Sequence, residues 1–291
     1  MPLAARDQPG VEISMKSGVA EGLPYSLSRW TDVPGAKWAW FKQQLDQGYM
    51  VGFDPRTGIP AQWSLDASAV HGLIFWTKNP TNLLNDAKLI RDYPMVIHVT
   101  LTGWMEVEKG APRLDEGVRL LCETVKVFGA NRVVWRFSPI PQLSNFDVLE
   151  RFTFIAEEVM NAGLSRCYAA FLQGNDLVPE MRTLAQRRRL LALLASGTQA
   201  FNPNFELVLC QDDKETLASP VSYAPANLKL GVCEDGKIFG GSPPVMDCGC
   251  CLSVDPFTVN ESCTMGCAYC YAADRSLAPK KRNTTPLRVL R

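Results

Sequence analysis

Residues 72–76 read GLIFW and residues 132–137 read RVVWRF, and these two runs decide the fold class. Both are apolar at almost every position, which is typical of strands buried on both faces of a parallel sheet. Helical segments of about ten or more residues separate such runs, as crossovers between parallel strands require. The sequence therefore predicts an α/β fold with a parallel sheet.

Strands and helices are predicted to alternate over residues 25–210. The six or seven strand–helix units in this range favour a complete or partial (β/α) TIM-like barrel over an open doubly wound sheet. The nucleotide-binding fold is the alternative, but no G-x-G-x-x-G turn follows an early strand. The predicted strands are Tyr25–Ser28, Met50–Phe53, Gly72–Trp76, Val96–Leu101, Arg132–Phe137, Cys167–Leu172 and Glu206–Cys210, and the predicted helices are Ala36–Gln47, Leu83–Arg91, Asp115–Phe128, Asp147–Ala162 and Met181–Ser196.

Charge and composition narrow the functional classes. The chain has 291 residues, 46% of them hydrophobic, and its 30 basic and 30 acidic residues give a formal net charge of zero. This balance argues against a nucleic-acid partner, which usually binds a surplus of positive charge. The first twenty residues lack the apolar run of a signal peptide, and no apolar stretch reaches transmembrane length. We therefore expect a cytoplasmic protein with no membrane partner.

Ten cysteines are many for a cytoplasmic chain, where thiols stay reduced and metal binding or redox chemistry is the usual reason for them. Cys263, Cys267 and Cys270 have the spacing C-x3-C-x2-C. Three thiolates on one short loop hold three irons of a [4Fe–4S] cluster and leave the fourth iron open to an external ligand. The alternative is a zinc loop completed by a further cysteine.

The string GCAYCYA at residues 266–272 resembles the radical S-adenosylmethionine (SAM) signature, and in particular the spore-photoproduct-lyase-like enzymes. The resemblance implies that the open iron binds the amino and carboxylate groups of SAM and that Tyr269 lies beside the adenine. It further implies reductive cleavage of SAM to a 5′-deoxyadenosyl radical, which abstracts a hydrogen atom from a substrate.

The late position of this motif predicts a circularly permuted barrel, because in most radical SAM enzymes the motif follows the first strand. Residues Cys251–Val259 would then form the first strand, Tyr271–Leu277 would begin the first helix, and Tyr25–Ser28 would be the second strand. Chain termini often lie close together, which makes such a permutation feasible.

Several further strings extend the resemblance to one family. The chain is similar, over about residues 25–272, to the family called domain of unknown function 1848. Two departures, Trp30 for an arginine and Ser138 for an aspartate, leave the substrate undetermined. The matching strings are SLSRWTDVP (26–34), FWTKNP (75–80), HVTLTG (98–103), VVWRFSP (133–139) and CGCCLSVD (248–255).

Polar residues in these strings fall at or just beyond predicted strand ends, which form the active-site face of a barrel. The alternative is that they are helix caps or solvated loop residues. His98 points along a strand and is a further candidate, whereas His71 is assigned to a loop or cap. The expected catalytic residues are Arg29, Asp32, Lys78 and Arg136, and the expected cofactor-binding residues are Ser28, Asn79, Thr100, Thr102 and Tyr269.

Four more cysteines, Cys210, Cys233, Cys248 and Cys250, follow the main strands, and cysteines recur at these places in the resembled family. Four thiolates would close a second, auxiliary [4Fe–4S] cluster, and a structural zinc is the alternative. Cys251 is an alternative to Cys250 as a ligand. Cys122 and Cys167 are expected to be buried small apolar residues.

The predicted function is that of a radical SAM enzyme with a small-molecule or peptide substrate and a one-electron reductant such as flavodoxin or ferredoxin. One alternative is a lyase acting on damaged DNA, with the basic run at residues 186–189 as its footprint. The other is a zinc-stabilised binding module without enzymatic activity. The expected divisions are a tail (1–24), the barrel units (25–210), a cysteine-bearing auxiliary metal region (211–250), a terminal strand with the cluster loop (251–280) and a second tail (281–291).

Overall fold

A computed structural model describes residues 15–16, 22–141, 143–172, 182–218, 225–258, 263–270 and 272. Within these ranges, strands and helices alternate along the chain as expected. The strands are β1 (Met15–Lys16), β2 (Tyr25–Ser26), β3 (Tyr49–Phe53), β4 (Pro60–Ser64), β5 (Leu73–Thr77), β6 (Met95–Thr100), β7 (Val133–Ile140), β8 (Arg166–Phe171), β9 (Glu206–Cys210) and β10 (Leu228–Gly231). The α-helices are α1 (Val33–Ala36), α2 (Trp38–Gln47), α3 (Thr81–Asn85), α4 (Ala87–Ile90), α5 (Leu114–Phe128), α6 (Asn145–Asn161), α7 (Leu184–Phe201) and α8 (Lys214–Ala218).

The main sheet has seven strands in the order β2-β5-β6-β7-β8-β9-β10. Every neighbouring pair is parallel, with Phe75 opposite Ile97 and Trp135 opposite Cys167. The apolar runs quoted first form β5 and β7, in the middle of this sheet. The predicted α/β class with a parallel sheet is therefore confirmed.

The two faces of the main sheet are packed differently because side chains alternate along each strand. Leu73, Phe75 and Trp135 point to the face covered by helices and join the large core there. Ile74 and Val96 point the other way and form a separate small cluster. We call this second side the inner face, and it carries the polar residues discussed below.

The segment 251–258 lies next to the edge strand β2, but it forms isolated bridges and not the strand predicted at Cys251–Val259, of which Val259 is outside the described residues. Val254 forms a parallel bridge with Tyr25, and the Ser26 amide donates to the Val254 carbonyl at 2.8 Å. At the far edge, the Cys251 amide donates to the Glu234 carbonyl, three residues beyond β10, at 2.9 Å. No strand ladder closes the sheet within the described residues, so the architecture is a parallel sheet whose edges approach each other, not a closed barrel.

Several predicted elements need correction. The predicted barrel strand Met50–Phe53 belongs instead to a separate sheet, because β3 pairs antiparallel with β4, a strand that the sequence analysis missed. The main sheet also continues past Cys210, since β10 pairs with β9 in the region expected to be a loop. The predicted helix at Tyr271–Leu277 lies almost entirely outside the described residues.

The helices α5 and α6 begin and end within two residues of their predicted positions, whereas α7 extends to Phe201, five residues past its predicted end, and α8 was not predicted. The segment expected as one helix at 36–47 is divided into α1 and α2, and the segment at 83–91 into α3 and α4. α7 begins with a capping box in which Thr183 and Gln186 bond each other's backbone amides, which satisfies two otherwise free donors. None of the helices described is both long and apolar enough to cross a membrane.

Candidate functional site

The loop Cys263–Cys270, here called the cluster loop, packs against the segment that follows β6. Glu108 and Cys267 form an antiparallel bridge, and the Gly110 amide donates to the Met265 carbonyl at 2.9 Å. A Cβ atom on Gly110 would lie 1.9 Å from the Thr264 carbonyl oxygen. Only a glycine permits this approach without a shift of the backbone.

The other side of the cluster loop contacts the turn between β2 and α1. The backbone amide of Asp32 donates to the Cys263 thiol. The Asp32 carboxylate caps α1 by accepting from the Gly35 amide at 2.8 Å, and it also accepts from the Lys78 amide at 2.8 Å. Burial raises the pKa of Asp32, and these backbone donors oppose that increase. Asp32 thus joins the ends of two parallel strands beneath the cluster loop.

A buried carboxylate, Glu108, lies at the centre of the polar groups around the loop. Its Oε1 atom is 2.9 Å from the Lys78 ammonium and accepts from the Thr102 hydroxyl at 2.8 Å. The same oxygen accepts a short hydrogen bond from the Tyr269 hydroxyl. Burial, followed by the negative charge of Glu108, raises the pKa of Tyr269, so this phenol remains a donor. Trp104 stacks on Tyr269 with ring centroids 5.8 Å apart.

The three thiols of the cluster loop influence one another electrostatically. Burial raises the pKa of Cys267 to about 11, and the Lys78 ammonium counteracts part of this increase. Burial likewise raises the pKa of Cys263, and Cys270 contributes in the same direction. Three partly buried thiols that repel one another's ionised forms are stabilised as thiolates by a bound cation, because a metal deprotonates its thiol ligands.

A second group of thiols meets on the far side of the sheet, beyond β9 and β10. The Cys233 and Cys250 sulfurs are 3.5 Å apart, and Cys210 also hydrogen-bonds Cys233. These two thiol contacts, Cys210 first, lower the pKa of Cys233 despite its burial. Cys248 interacts electrostatically with Cys250. Of the two adjacent cysteines, Cys250 contacts Cys233, whereas Cys251 packs with Ile74 and Val96.

Arg136 lies next to this second group and interacts electrostatically with Glu234, which accepts hydrogen bonds from Arg29, Ser26 and Trp76. Arg136 is 7% exposed, its Nη1 atom has no hydrogen-bond partner, and it forms no ion pair within the described ranges. Its guanidinium lies 4.1 Å above the ring of Trp76, and it lowers the pKa of Cys233. A buried cation is stabilised by nearby negative charge, so an anionic metal–thiolate centre at Cys233 would add to that of Glu234.

His98 stacks on Trp76 with ring centroids 4.4 Å apart and is 2% exposed. Neither ring nitrogen has a hydrogen-bond partner in the described structure. Burial first, and then the charge of Arg136, lower the pKa of His98 to about 3, so the ring is neutral. Each unmet polar group of this kind costs about 1–3 kcal/mol, which a bound ligand would recover.

The described residues contain no group of three or more His, Cys, Asp or Glu side chains already arranged as a metal site. The cysteine sulfur atoms of the two groups are nevertheless chemically suitable as metal ligands. One loop presents three thiols, of which Cys267 interacts with the Lys78 ammonium, and a second set of thiols lies beside the Arg136 guanidinium. Both sets provide the soft sulfur ligands that iron–sulfur clusters and zinc prefer.

The predicted site residues lie in different parts of the structure. Asp32, Lys78, Thr102 and Tyr269 meet at the cluster loop, as described above, whereas Arg136 lies near the second group of thiols. The other predicted residues have different surroundings. Arg29 pairs with Glu234 at 2.7 Å, and Asn79 accepts from Thr81 in a local turn. The buried Ser28 hydroxyl has no hydrogen-bond partner among the described residues, and Thr100 is partly exposed on the inner face.

Two acidic residues that organise the site, Glu108 and Glu234, were not predicted from the sequence. Glu108 follows the string HVTLTG by only a few residues. It could have been predicted by considering polar residues in the loop after this strand as well as those at the strand end. Glu234 follows Cys233 and accepts hydrogen bonds from Ser26 and Trp76 as well as from Arg29. Its role depends on contacts across more than 150 residues, for which the sequence carries no local signal.

The remaining predictions for single residues are partly confirmed. Cys167 is fully buried, whereas Cys122 is only half-buried between α5 and α6. His71 precedes β5 and lies edge-on to Phe239 at 6.2 Å, in agreement with its assignment to a loop. In the basic run 186–189, Arg187 is partly buried against Phe171 and lies 3.7 Å from Asp213.

Comparison with known proteins identifies the family. The family model named domain of unknown function (DUF1848) matches residues 25–272. The chain belongs to the DUF1848 family. A search of curated proteins finds no match. Among solved structures, the HMG-CoA lyase from Brucella melitensis is similar, with 12% sequence identity and a TM-score of 0.35 over 57% of this chain and 58% of the lyase chain.

Proposed function

We propose that this DUF1848 protein is a radical SAM enzyme whose [4Fe–4S] cluster is held by Cys263, Cys267 and Cys270. The observation that carries the proposal is the position of the cluster loop. It contacts the segments that follow β2, β5 and β6, where the carboxyl ends of parallel strands meet and where α/β enzymes place their chemistry. When bound, cluster and SAM together would supply a 5′-deoxyadenosyl radical that abstracts hydrogen from substrate.

The residues of the chain would bind and orient these groups. Glu108 offers a buried carboxylate that would accept a hydrogen bond from the iron-bound amino group of SAM, and Lys78 beside it would pair with the SAM carboxylate. Trp104 and Tyr269 form an aromatic pair that would contact the adenine. Burial of these side chains keeps water away from the site, which protects reactive species.

A second centre is proposed at Cys210, Cys233 and Cys250, with Cys248 as the further thiol nearby. The closeness of these thiols and the nearby Arg136 guanidinium support an anionic centre at this position. Its expected metal is an auxiliary [4Fe–4S] cluster, and zinc in the same thiol cage is the alternative. A one-electron reductant such as flavodoxin or ferredoxin is the proposed partner, and the cytoplasm is the proposed location.

The decisive experiment compares Cys270→Ala with Cys122→Ala after anaerobic reconstitution with iron and sulfide. Cys270→Ala should lose the iron of the first centre and the formation of 5′-deoxyadenosine from SAM under reducing conditions. Cys122→Ala removes a thiol far from both groups and should retain both properties. SAM cleavage by Cys270→Ala at the wild-type rate would overturn the assignment, and a colourless wild-type protein containing zinc would favour the non-enzymatic binding module.

The lesion-lyase alternative has weaker support. Its basic run would need exposed cations, but Arg187 is packed against Phe171 and Asp213, so the run does not present a continuous basic face. A small-molecule substrate therefore remains the primary proposal, with a peptide as the alternative.

A further inference from the structure

A cavity of about 300 Å³ opens on the inner face of the main sheet, at the amino ends of β7 and β8. Asn131 and Ser165, exposed residues that precede these strands, stand at its mouth. Its polar wall includes His98, Tyr168 and Glu234. The cluster loop lies at the opposite, carboxyl ends of the strands, so the cavity is separate from the site proposed above. Its apolar floor is lined by Ile74, Val96, Val134 and Phe239.

His98 lines this cavity with its hydrogen-bonding capacity unmet. The residue is 2% exposed, and neither ring nitrogen has a hydrogen-bond partner among the described residues. Because the ring stacks on Trp76 with centroids 4.4 Å apart, its hydrogen bonds have to be made at the ring edge. A neutral imidazole offers one donor and one acceptor. A ligand that carries both a donor and an acceptor would therefore satisfy this ring.

We propose that this cavity binds a small uncharged amide, whose head group hydrogen-bonds His98 and whose apolar part packs on the floor formed by Ile74, Val96 and Val134. The amide site lies at the other end of the strands from the cluster loop, and it requires no metal. This inference goes beyond the proposed function and does not depend on it.

The charged groups around the cavity favour an uncharged ligand, because each already has a partner. In the wall, the Glu234 carboxylate pairs with Arg29 at 2.7 Å, and Asp235 accepts from a backbone amide at 3.1 Å. At the mouth, Arg166 pairs with Glu206 at 2.6 Å. A charged ligand would either break one of these pairs or remain buried without a partner, and both outcomes are costly. An uncharged ligand has neither cost.

Size and polarity narrow the ligand class further. A volume of 300 Å³ is about twice that of a cavity of about 150 Å³ that holds one benzene molecule, and it lies at the lower end of ligand pockets. The Tyr168 hydroxyl and the Glu234 carboxylate line the cavity together with His98, so the wall offers both donors and acceptors. A carboxamide carries a donor and an acceptor on one planar group. The cavity therefore suits an amide whose body is about the size of one aromatic ring.

The probe for this site is benzamide, with benzoate and benzamidine as charged analogues of nearly the same shape. Binding is measured by isothermal titration calorimetry on the full-length protein, both metal-free and after anaerobic reconstitution with iron and sulfide. We expect benzamide to bind equally well to both forms and each charged analogue to bind at least about tenfold more weakly. Absence of benzamide binding, binding to the reconstituted form alone, or equal binding of a charged analogue overturns the inference.

Variants of the cavity locate the bound benzamide. His98→Phe keeps a ring against Trp76 but removes both nitrogens, and it should weaken binding about tenfold, which corresponds to about one hydrogen bond. Val134→Phe fills the floor and should abolish binding, whereas Val127→Phe, at a 51% exposed position on α5, should bind as the wild type does. Unchanged affinity in a folded His98→Phe or Val134→Phe protein would place the amide elsewhere and overturn the inference.

A measurement on the wild type covers the case in which neither cavity variant folds. The chain has two histidines, so His71→Gln assigns their ring-nitrogen signals in a ¹⁵N-labelled protein. Benzamide should shift a ring-nitrogen resonance of His98. Binding without such a shift contradicts the proposed hydrogen bond.

The amide site and the proposed function fail separately. SAM cleavage by the wild-type protein tests the cluster loop and does not depend on benzamide. A protein that cleaves SAM but does not bind benzamide overturns only the amide site. A protein that binds benzamide in both forms but never cleaves SAM overturns only the radical SAM assignment.

Discussion

Gly110→Ala tests whether the cluster loop is seated where the structure places it. The new Cβ atom would lie 1.9 Å from the Thr264 carbonyl oxygen, whereas real Cβ contacts essentially never fall below 3.0 Å. The two backbones must therefore separate by at least 1.1 Å, the difference between those distances. Metal–ligand distances tolerate deviations of only about 0.2 Å. A shift of this size beside Cys263 should prevent the first centre from forming.

The expected result is loss of the iron of the first centre, measured by iron content and by absorbance near 400 nm, with the rest of the fold retained. The control is Gly197→Ala in α7, where the nearest atom to the new Cβ is the Thr153 hydroxyl oxygen at 4.0 Å. That change should keep the full iron content and stabilise the helix by about 1 kcal/mol. If Gly110→Ala binds iron and SAM as the wild type does, the seating of the loop against residues 104–110 is refuted.

Two further predictions concern buried charges. Glu108→Gln leaves the Lys78 ammonium buried without its anion, which should cost about 3–5 kcal/mol of folding free energy and lower the melting temperature by roughly 6–20 °C. The double variant Lys78→Met/Glu108→Gln should recover part of this loss. A melting temperature of Glu108→Gln equal to that of the wild type would contradict the buried pair. Burial raises the pKa of Asp255 to about 7, so the folded state holds this proton more tightly than the unfolded chain and wild-type stability falls as the pH rises from about 4 to about 7. Asp255→Asn should therefore raise the melting temperature more at pH 8 than at pH 5, and an equal difference at both values would show that the carboxyl is not buried in its acid form.

The resemblance of strings along the chain correctly indicated the family, since the family model matches residues 25–272, the same range. Apolar runs such as GLIFW and RVVWRF identified the parallel sheet, since a strand buried on both faces leaves a continuous apolar signature. Short strands with weaker signatures escaped this reasoning. β10 (LKLG) alternates little and is largely exposed, so only its pairing with β9 reveals it.

The sequence by itself determined the cysteine spacing, the α/β class and the polar residues at the strand ends, because these depend on local order along the chain. Only the tertiary structure decided which of those residues meet. It brought Glu108 to Lys78 and, across 161 residues, to Tyr269. It also placed the cluster loop on Gly110 and separated Arg29 and Asn79 from that network. Such contacts arise from the register of parallel strands and from backbone approach, two properties that no short stretch of sequence encodes.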